Sequence, residues 1–546
     1  MLHISELAAR RSGRAAVTAL AVAVACGALS ACGGGGGGSS ASAAPAPAPP
    51  PPPPSSGWMS GVFMPSAGFA AECAVPRSGT DPATAQPFPD VAGSVLGENN
   101  WLRSWSNELY LWYDEILDRD PGLYSTSDYF QLLKTAQRTP SGALKDQFHF
   151  TIPSAEWHAL SQSGVSVGYG VEWALLAAVP PREAVVLYTQ PNSPAADDNL
   201  TRGSRLVSVD GRDFVNDNTQ QGVDIINAAL FPAQAGETHT FVVEELGATR
   251  TITLEADEVT SAPVLDVGTL DTPTGRVGYL LFNDHIATAE QALIDAVTAL
   301  EQENIDDLVL DVRYNGGGFL VIASQLAYMI AGPGPTGGRV FEAMRFNDKH
   351  ATTNPVTGQP LAPLPFVDTT VGLSAAANPP QPLPTLDLAR VFVLTGPDTC
   401  SASESIINGL RGADVEVVQI GSTTCGKPYG FYPQDNCGTT YFSIQFQGVN
   451  DDGFGDYADG FAPANTPGTT GTTVPGCAIV DDYARALGDP AEARFATALA
   501  YRDQGAAACP APTFGAFGAS KPGTAFVPAE GRMLRSPWRE NRILLP

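Results

Sequence analysis

From residue 275 onward, apolar runs of strand length alternate with helical patterns. Val277 to Phe282, Asp307 to Val312, Val391 to Thr395 and Val415 to Gly421 read as buried strands. Between the first two, Leu293, Ala296, Val297 and Leu300 recur at i, i+3, i+4 and i+7, the stripe of an amphipathic helix. Phe319 to Ile330 reads as a second helix. A third follows Ser401, with Ile406, Ile407 and Leu410 on one face. Strand and helix in alternation predict an α/β core. Residues 332–388 are rich in Pro, Gly and Thr, lack a period, and are expected to form a long excursion from it.

Upstream the pattern differs. Residues 165–258 hold short β-type runs separated by turns: Val165 to Val167, Val171 to Trp173, Ala184 to Thr189, Arg205 to Val209, Thr238 to Glu244 and Arg250 to Glu255. Residues 91–160 are expected to be mainly helical. There Trp101, Trp105, Leu109 and Trp112 recur at spacings of three and four and predict one packing face.

The first 57 residues cannot build a core. Arg10, Arg11 and Arg14 precede the apolar stretch Ala15 to Leu29, which is too short to span a bilayer. Leu29-Ser30-Ala31-Cys32 resembles a lipobox, which implies a signal peptide over 1–31, cleavage before Cys32 and a lipid on Cys32. Gly33 to Gly38 and an Ala/Pro run to Pro54 read as a tether over 32–57. Gly33 at the position after the cysteine favours the outer membrane. The expected location is the bacterial cell envelope, with the chain lipid-anchored and facing the periplasm or the surface.

A formal charge of −27 excludes nucleic acid as a partner. Six cysteines follow Cys32: Cys73, Cys400, Cys425, Cys437, Cys477 and Cys509. In an oxidising compartment they suggest up to three disulfides. The spacing does not choose among the pairings; a clip between Cys425 and Cys437 is one expectation. A thiol role for Cys400 is a competing one.

Only five of the 30 basic residues are lysine, so Lys427 in Cys425-Gly426-Lys427-Pro428 stands out. Arginine stays protonated, whereas a buried lysine can serve as a neutral base. Ser401 opens Ser401-Ala402-Ser403-Glu404 directly after a strand and at the start of a helix, where the dipole favours negative charge. It is either a helix cap or a nucleophile. The turn Gly316-Gly317-Gly318 leaves N–H groups bare for an anion or a reaction oxyanion. It lacks the lysine and hydroxyl of a phosphate loop. No metal-binding spacing occurs, and no metal or cofactor is expected. A Ser-His-Asp arrangement through His285 is the rival to the Ser–Lys pair.

Two resemblances join these pieces. Gly168-Tyr169-Gly170-Val171, then Asn192-Ser193-Pro194-Ala195-Ala196, then Val209-Asp210-Gly211 resemble the order of a PDZ domain. That implies peptide-carboxylate binding by the loop Gly168, Tyr169, Gly170 and Val171. Asp311 to Gly318, Ser401 to Glu404 and Gly426-Lys427, in this order after such a segment, resemble the C-terminal processing (tail-specific) peptidases of family S41. Leu109 to Tyr113 and Asp146 to Phe150 look like the amino-terminal part of its lipoprotein members.

The resemblance implies a multidomain α+β chain. Its parts are a helical region over 58–160, a PDZ-like domain over 165–258, a ClpP/crotonase-like α/β peptidase core over 259–510 and a tail over 511–546. Ser401 is implied as nucleophile and Lys427 as general base. Gly317 and Ala402 are implied as oxyanion donors, with Gly318 as the alternative to Gly317. Protein or peptide substrates follow; oligomeric state does not. Many members carry a glutamine four residues after the lysine to orient it. Here that place holds Phe431, with Gln434, Gln445 and Glu404 as candidate replacements. The rival class is a peptide-binding scaffold that has lost catalysis.

Overall fold

A six-stranded sheet runs Val264–Thr272, Gly275–Phe282, Asp307–Asp311, Arg390–Thr395, Glu416–Gly421 and Gly476–Ala478 in spatial order. The first pair is antiparallel and every later pair parallel. The computed structural model describes residues 57–82, 85–373, 380–511, 532–533 and 542–543. The expected signal peptide, Cys32 and all of the tether but Gly57 lie outside the described residues, as does most of the tail.

Alternation along the strands sorts two apolar faces. Leu280, Phe282, Leu308, Leu310, Val391 and Val393 pack under the helices Ala289–Gln302, Leu320–Ala331 and Ala402–Gly412. Val277, Tyr279, Val309, Phe392 and Val418 face Phe495 and Ala498 of the helix Ala493–Gln504. Burial on both sides explains why these strands read as continuous apolar runs. The excursion sends out the strand Val340–Phe346, which pairs antiparallel with Phe446–Val449.

A second sheet is antiparallel throughout. Its order is Ala248–Glu255, Thr238–Glu245, Arg205–Val209, Glu183–Thr189, Val171–Ala177 and Arg532–Met533. Trp173, Val186, Leu206, Phe241 and Ile252 form its own core, closed by Ile226 and Ala229 of the helix Gln220–Leu230.

The amino-terminal region is only partly helical. Ser94 Oγ accepts the N–H of Gly97 and caps the helix Val95–Leu109. Trp101 and Trp105 stack at 5.2 Å and rest on Tyr441. Trp112 does not continue that face: the helix has ended, and the ring turns to Tyr429, 4.8 Å away. The strand Phe150–Pro153 joins Thr439–Phe442, so this region is stitched into the body of the chain.

A buried polar knot joins the two sheets. Arg202 donates to Tyr314 Oη (2.7 Å) and to Asp481 Oδ1 (2.7 Å). Arg313, wholly buried, donates to Asp311, Asp481 and Glu492. A guanidinium out of water must be paired in this way. The knot pins the first residues of the glycine turn.

Candidate active site

Ser401 ends the loop that leaves the strand Arg390–Thr395 and begins the helix Ala402–Gly412. Its backbone sits at φ 59° and ψ −113°. A helix-capping serine adopts extended backbone. A positive φ at a non-glycine residue costs of order 1–3 kcal/mol and persists where neighbours over-determine it.

Those neighbours are identifiable. Asn315 O accepts the N–H of Cys400 (3.1 Å) and the hydroxyl of Ser403 (3.0 Å). Thr399 Oγ1 donates to Val312 O and accepts the N–H of Gly396. The serine loop is thereby fastened to the residues before the glycine turn.

Glu404, one turn into the helix, joins Ser401 to Lys427. Its Oε2 accepts the Ser401 N–H at 2.9 Å and the Lys427 N–H at 2.8 Å. Its Oε1 accepts the Gly426 N–H (2.9 Å) and the Thr424 hydroxyl (2.5 Å). A single oxygen shared by two backbone nitrogens keeps them no farther apart than the sum of its two bonds. Burial pushes the Glu404 carboxyl above its ordinary value, while the four donors hold it down.

A covalent link runs parallel to the carboxylate. Cys400 and Cys425 form a disulfide with Cα atoms 5.2 Å apart. It ties the residue before the serine to the second residue before the lysine. The other pairs are Cys73–Cys437 and Cys477–Cys509. The expected Cys425–Cys437 clip is therefore wrong, because Cys400 reaches Cys425 across the site. The thiol role for Cys400 falls with it. Among the described residues Cys400, Glu404 and Cys425 are the one cluster of metal-ligand types. Both sulfurs are bonded to each other, which removes it as a metal site.

Lys427 is fully buried. Its Nζ lies 4.7 Å from the ring centroids of both Phe148 and Phe431. Phe431, at the position where a glutamine was expected, thus faces the ammonium with its π system. Phe148 arrives from the amino-terminal region, where Tyr110 donates to Asp146 Oδ2 and Asp146 Oδ1 accepts the Phe148 N–H. Gln445 is engaged with Tyr432, and Gln434 with Asp435 O. Glu404 acts on the lysine's backbone.

The glycine turn is organised by Asn315. Its Nδ2 donates to Phe282 O, which orients the amide. Its Oδ1 accepts the Gly317 N–H (2.9 Å) and His285 Nδ1–H (2.9 Å). The Gly317 N–H is thus directed at Asn315. Gly318 has φ 142°, and a Cβ there would lie 2.4 Å from His285 O, so only glycine fits. Ala402 is the first helical residue, and its N–H has no intrahelical acceptor.

His285 is buried among apolar groups, which pushes its imidazole down to about 3 and keeps it neutral. Its Nε2 has no partner among the described residues. A Ser-His-Asp arrangement is not formed.

The segment Gly168 to Val171 runs from the end of the strand Val165–Gly168, which pairs with Asp257–Thr260, into the second sheet. Tyr169 is buried and donates through its hydroxyl to Ala229 O (3.0 Å). Gly170 O accepts the Gln190 N–H, and a Cβ on Gly170 would strike Ser193. Val171 opens the strand Val171–Ala177.

Residues 276–431 match the model of peptidase family S41. That stretch is similar to S41 peptidases. Two curated relatives align with part of the chain. The carboxyl-terminal-processing protease of Picosynechococcus sp. is 28% identical over 171 residues, 31% of this chain and 39% of its own. The chloroplastic C-terminal processing peptidase of Tetradesmus obliquus is 29% identical over 169 residues, 28% of this chain and 34% of its own. The matched stretches therefore span well under half of either relative. A crystal structure from Bacteroides fragilis described as an S41 protease superposes with a TM-score of 0.51 at 22% identity, covering 76% of this chain and 98% of that one. It shares the fold. Both Ser401 and the glycine turn lie inside the stretch that matches the S41 model, as do Glu404, Lys427 and Phe431.

Two parts of this site were not assigned from sequence. Asn315 stood in the quoted motif, but nothing local says which backbone its amide locks. Phe148 stood in the quoted Asp146–Phe150 segment, and only the folded path brings it to Lys427.

Proposed function

We propose that the chain is a serine endopeptidase in which Ser401 is the nucleophile and Lys427 the general base. The observation that carries this reading is the Glu404 carboxylate, which takes the backbone N–H of both residues on one oxygen. Such fixed placement supplies the positioning that acyl transfer needs.

Lys427, as its neutral amine, takes the Ser401 hydroxyl proton while Oγ bonds to the scissile carbonyl carbon. The negative charge gathers on the carbonyl oxygen. Ala402 N–H and a glycine-turn N–H stabilise it; one such donor is worth roughly 10²–10³ in rate. The ammonium of Lys427 returns the proton to the leaving amine as the C–N bond breaks. Water then attacks the acyl-serine with the same lysine as base.

Because Gly317 donates to Asn315 Oδ1, Gly318 is the better second donor. The second sheet serves as a PDZ-like capture module, its Gly168 to Val171 loop holding a peptide terminus or unfolded segment. Three disulfides favour an oxidising compartment, in keeping with an envelope lipoprotein anchored through Cys32.

The test is cleavage of an unstructured protein such as casein by the purified chain. Ser401→Ala is expected to abolish it. Undiminished cleavage by that variant overturns the assignment. The aromatic cradle of Lys427 favours one second reading, a peptide-binding scaffold without catalysis. A serine-reactive probe that never labels Ser401 decides for it.

A further inference from the structure

His285 follows the strand Gly275–Phe282 and forms a parallel bridge with Gly318. Two backbone bonds make the bridge. His285 N–H donates to Gly317 O (3.2 Å), and Phe319 N–H donates to His285 O (2.8 Å). In a trans peptide the N–H points opposite to the C=O. Gly317 O faces His285, so the N–H of Gly318 faces away from it. The backbone at His285 thus sets the direction of the N–H assigned to the oxyanion.

Any residue can make those two bonds, and the imidazole adds a third. Asn315 Nδ2 is engaged with Phe282 O, which leaves Oδ1 as a pure acceptor. It takes the Gly317 N–H and His285 Nδ1–H, both at 2.9 Å. The second bond requires the tautomer with its proton on Nδ1. Burial pushes the imidazole down to about 3 and keeps it in that neutral form. The carbonyl of the same Asn315 accepts the Cys400 N–H and the Ser403 hydroxyl. One residue therefore connects His285 to the glycine turn on one side and to the Ser401 loop on the other.

Packing gives no reason for a histidine here. His285 Nε2 is buried and has no hydrogen-bond partner among the described residues. A buried acceptor left unmatched costs roughly 1–3 kcal/mol. An apolar side chain of similar size avoids that cost and gives up only the bond to Asn315. What the imidazole supplies is that bond.

We infer that the His285 imidazole is a positioning residue for the oxyanion site: by holding Asn315 Oδ1 on the Gly317 N–H, it keeps the Gly318 N–H turned toward the carbonyl that Ser401 attacks. This rests on the reading of Ser401 and Lys427 as the reacting pair. It gives His285 no proton to transfer.

The test compares His285→Asn with His285→Leu in the full chain. The asparagine amide places an N–H near the former Nδ1. Leucine has nearly the same shape and no donor, so the difference between the two reads the bond and not the space left behind. Leucine is expected to lower kcat about thirtyfold and asparagine about fivefold, with KM nearly unchanged in both. A peptide aldehyde, whose hemiacetal oxygen occupies the oxyanion site, is expected to weaken with kcat across the series. The kcat–pH profiles of the wild type and His285→Asn are expected to be parallel. A limb that vanishes in His285→Asn overturns the inference in favour of proton transfer.

Backbone hydrogen exchange in the Ser401→Ala background reads the turn without catalysis. The Gly317 amide is expected to exchange about tenfold faster with leucine than with asparagine. His285→Ala, which also lacks the donor, replaces His285→Leu if that variant does not fold. Equal exchange overturns the inference, as does equal kcat in the two variants of a cleaving enzyme. Faster exchange in a chain whose wild type cleaves nothing upholds the hold on the turn and removes the peptidase reading instead.

Discussion

Lys427 Nζ lies 4.7 Å from the centre of the Phe431 ring, at the residue where a glutamine was expected. The lysine is held between this ring and that of Phe148. A cation–π contact in a buried site is worth up to about 2 kcal/mol. Phe431→Leu keeps most of the apolar volume and removes the π face. It is expected to lower kcat about tenfold with little change in KM. Phe431→Gln, which offers an amide oxygen to Nζ, is expected to retain more kcat than Phe431→Leu. Steady-state kinetics on the two variants checks the order; wild-type kcat in Phe431→Leu means that the ring does not position the lysine.

Glu404 accepts from Ser401, Thr424, Gly426 and Lys427. In Glu404→Gln one acceptor oxygen becomes an NH₂ facing donors. Leaving buried donors unmatched costs roughly 1–3 kcal/mol. The variant is expected to lose about 10²-fold in kcat and to unfold at lower urea concentration. Glu404→Ala is expected to be worse on both counts.

The Cys400–Cys425 disulfide encloses the helix that starts at Ser401. A loop of this length is stabilised by roughly 3 kcal/mol. Cys400→Ala/Cys425→Ala is expected to lower kcat at least tenfold. Cys477–Cys509 lies on the other face of the core sheet, and its double alanine variant is expected to keep kcat while losing stability. Equal loss of kcat in both would show that the effect is general and not local to the site.

Two buried histidines set an acid limit. Burial lowers His285 to about 3 and His149 to about 4 from the ordinary 6.5. Below pH 6.5 the unfolded chain takes up protons that the folded chain refuses, so stability is present above that pH and lost as pH falls. Each ring contributes about 1 kcal/mol per pH unit across its window. Urea midpoints are expected to drop steadily from pH 6.5 to pH 4. His149→Gln, which keeps a donor for Phe130 O, is expected to flatten that slope by about half.

The core elements were legible because burial leaves a local period. Val277 to Phe282 and Val391 to Thr395 became strands with ends shifted by one or two residues, and the helix after Ser401 followed its apolar stripe. Trp112 misled because a spacing of three continues past a helix end that the backbone had already made at Leu109. The Cys425–Cys437 expectation failed because nearness in sequence is a poor guide to pairing. Cys437 instead bonds Cys73, 364 residues away.

From the chain's residues alone came the chemistry: a serine before a helix, a rare lysine after a strand, and three glycines in a turn. These are local facts, expressed within a few residues by spacing and steric demand. The tertiary structure decided what holds them. It chose Asn315 to lock the turn, Glu404 to yoke the two backbones, and Phe148 and Phe431 to flank the ammonium. Each of these is a contact between segments far apart along the chain. Its energy depends on distance and burial, which no local period encodes.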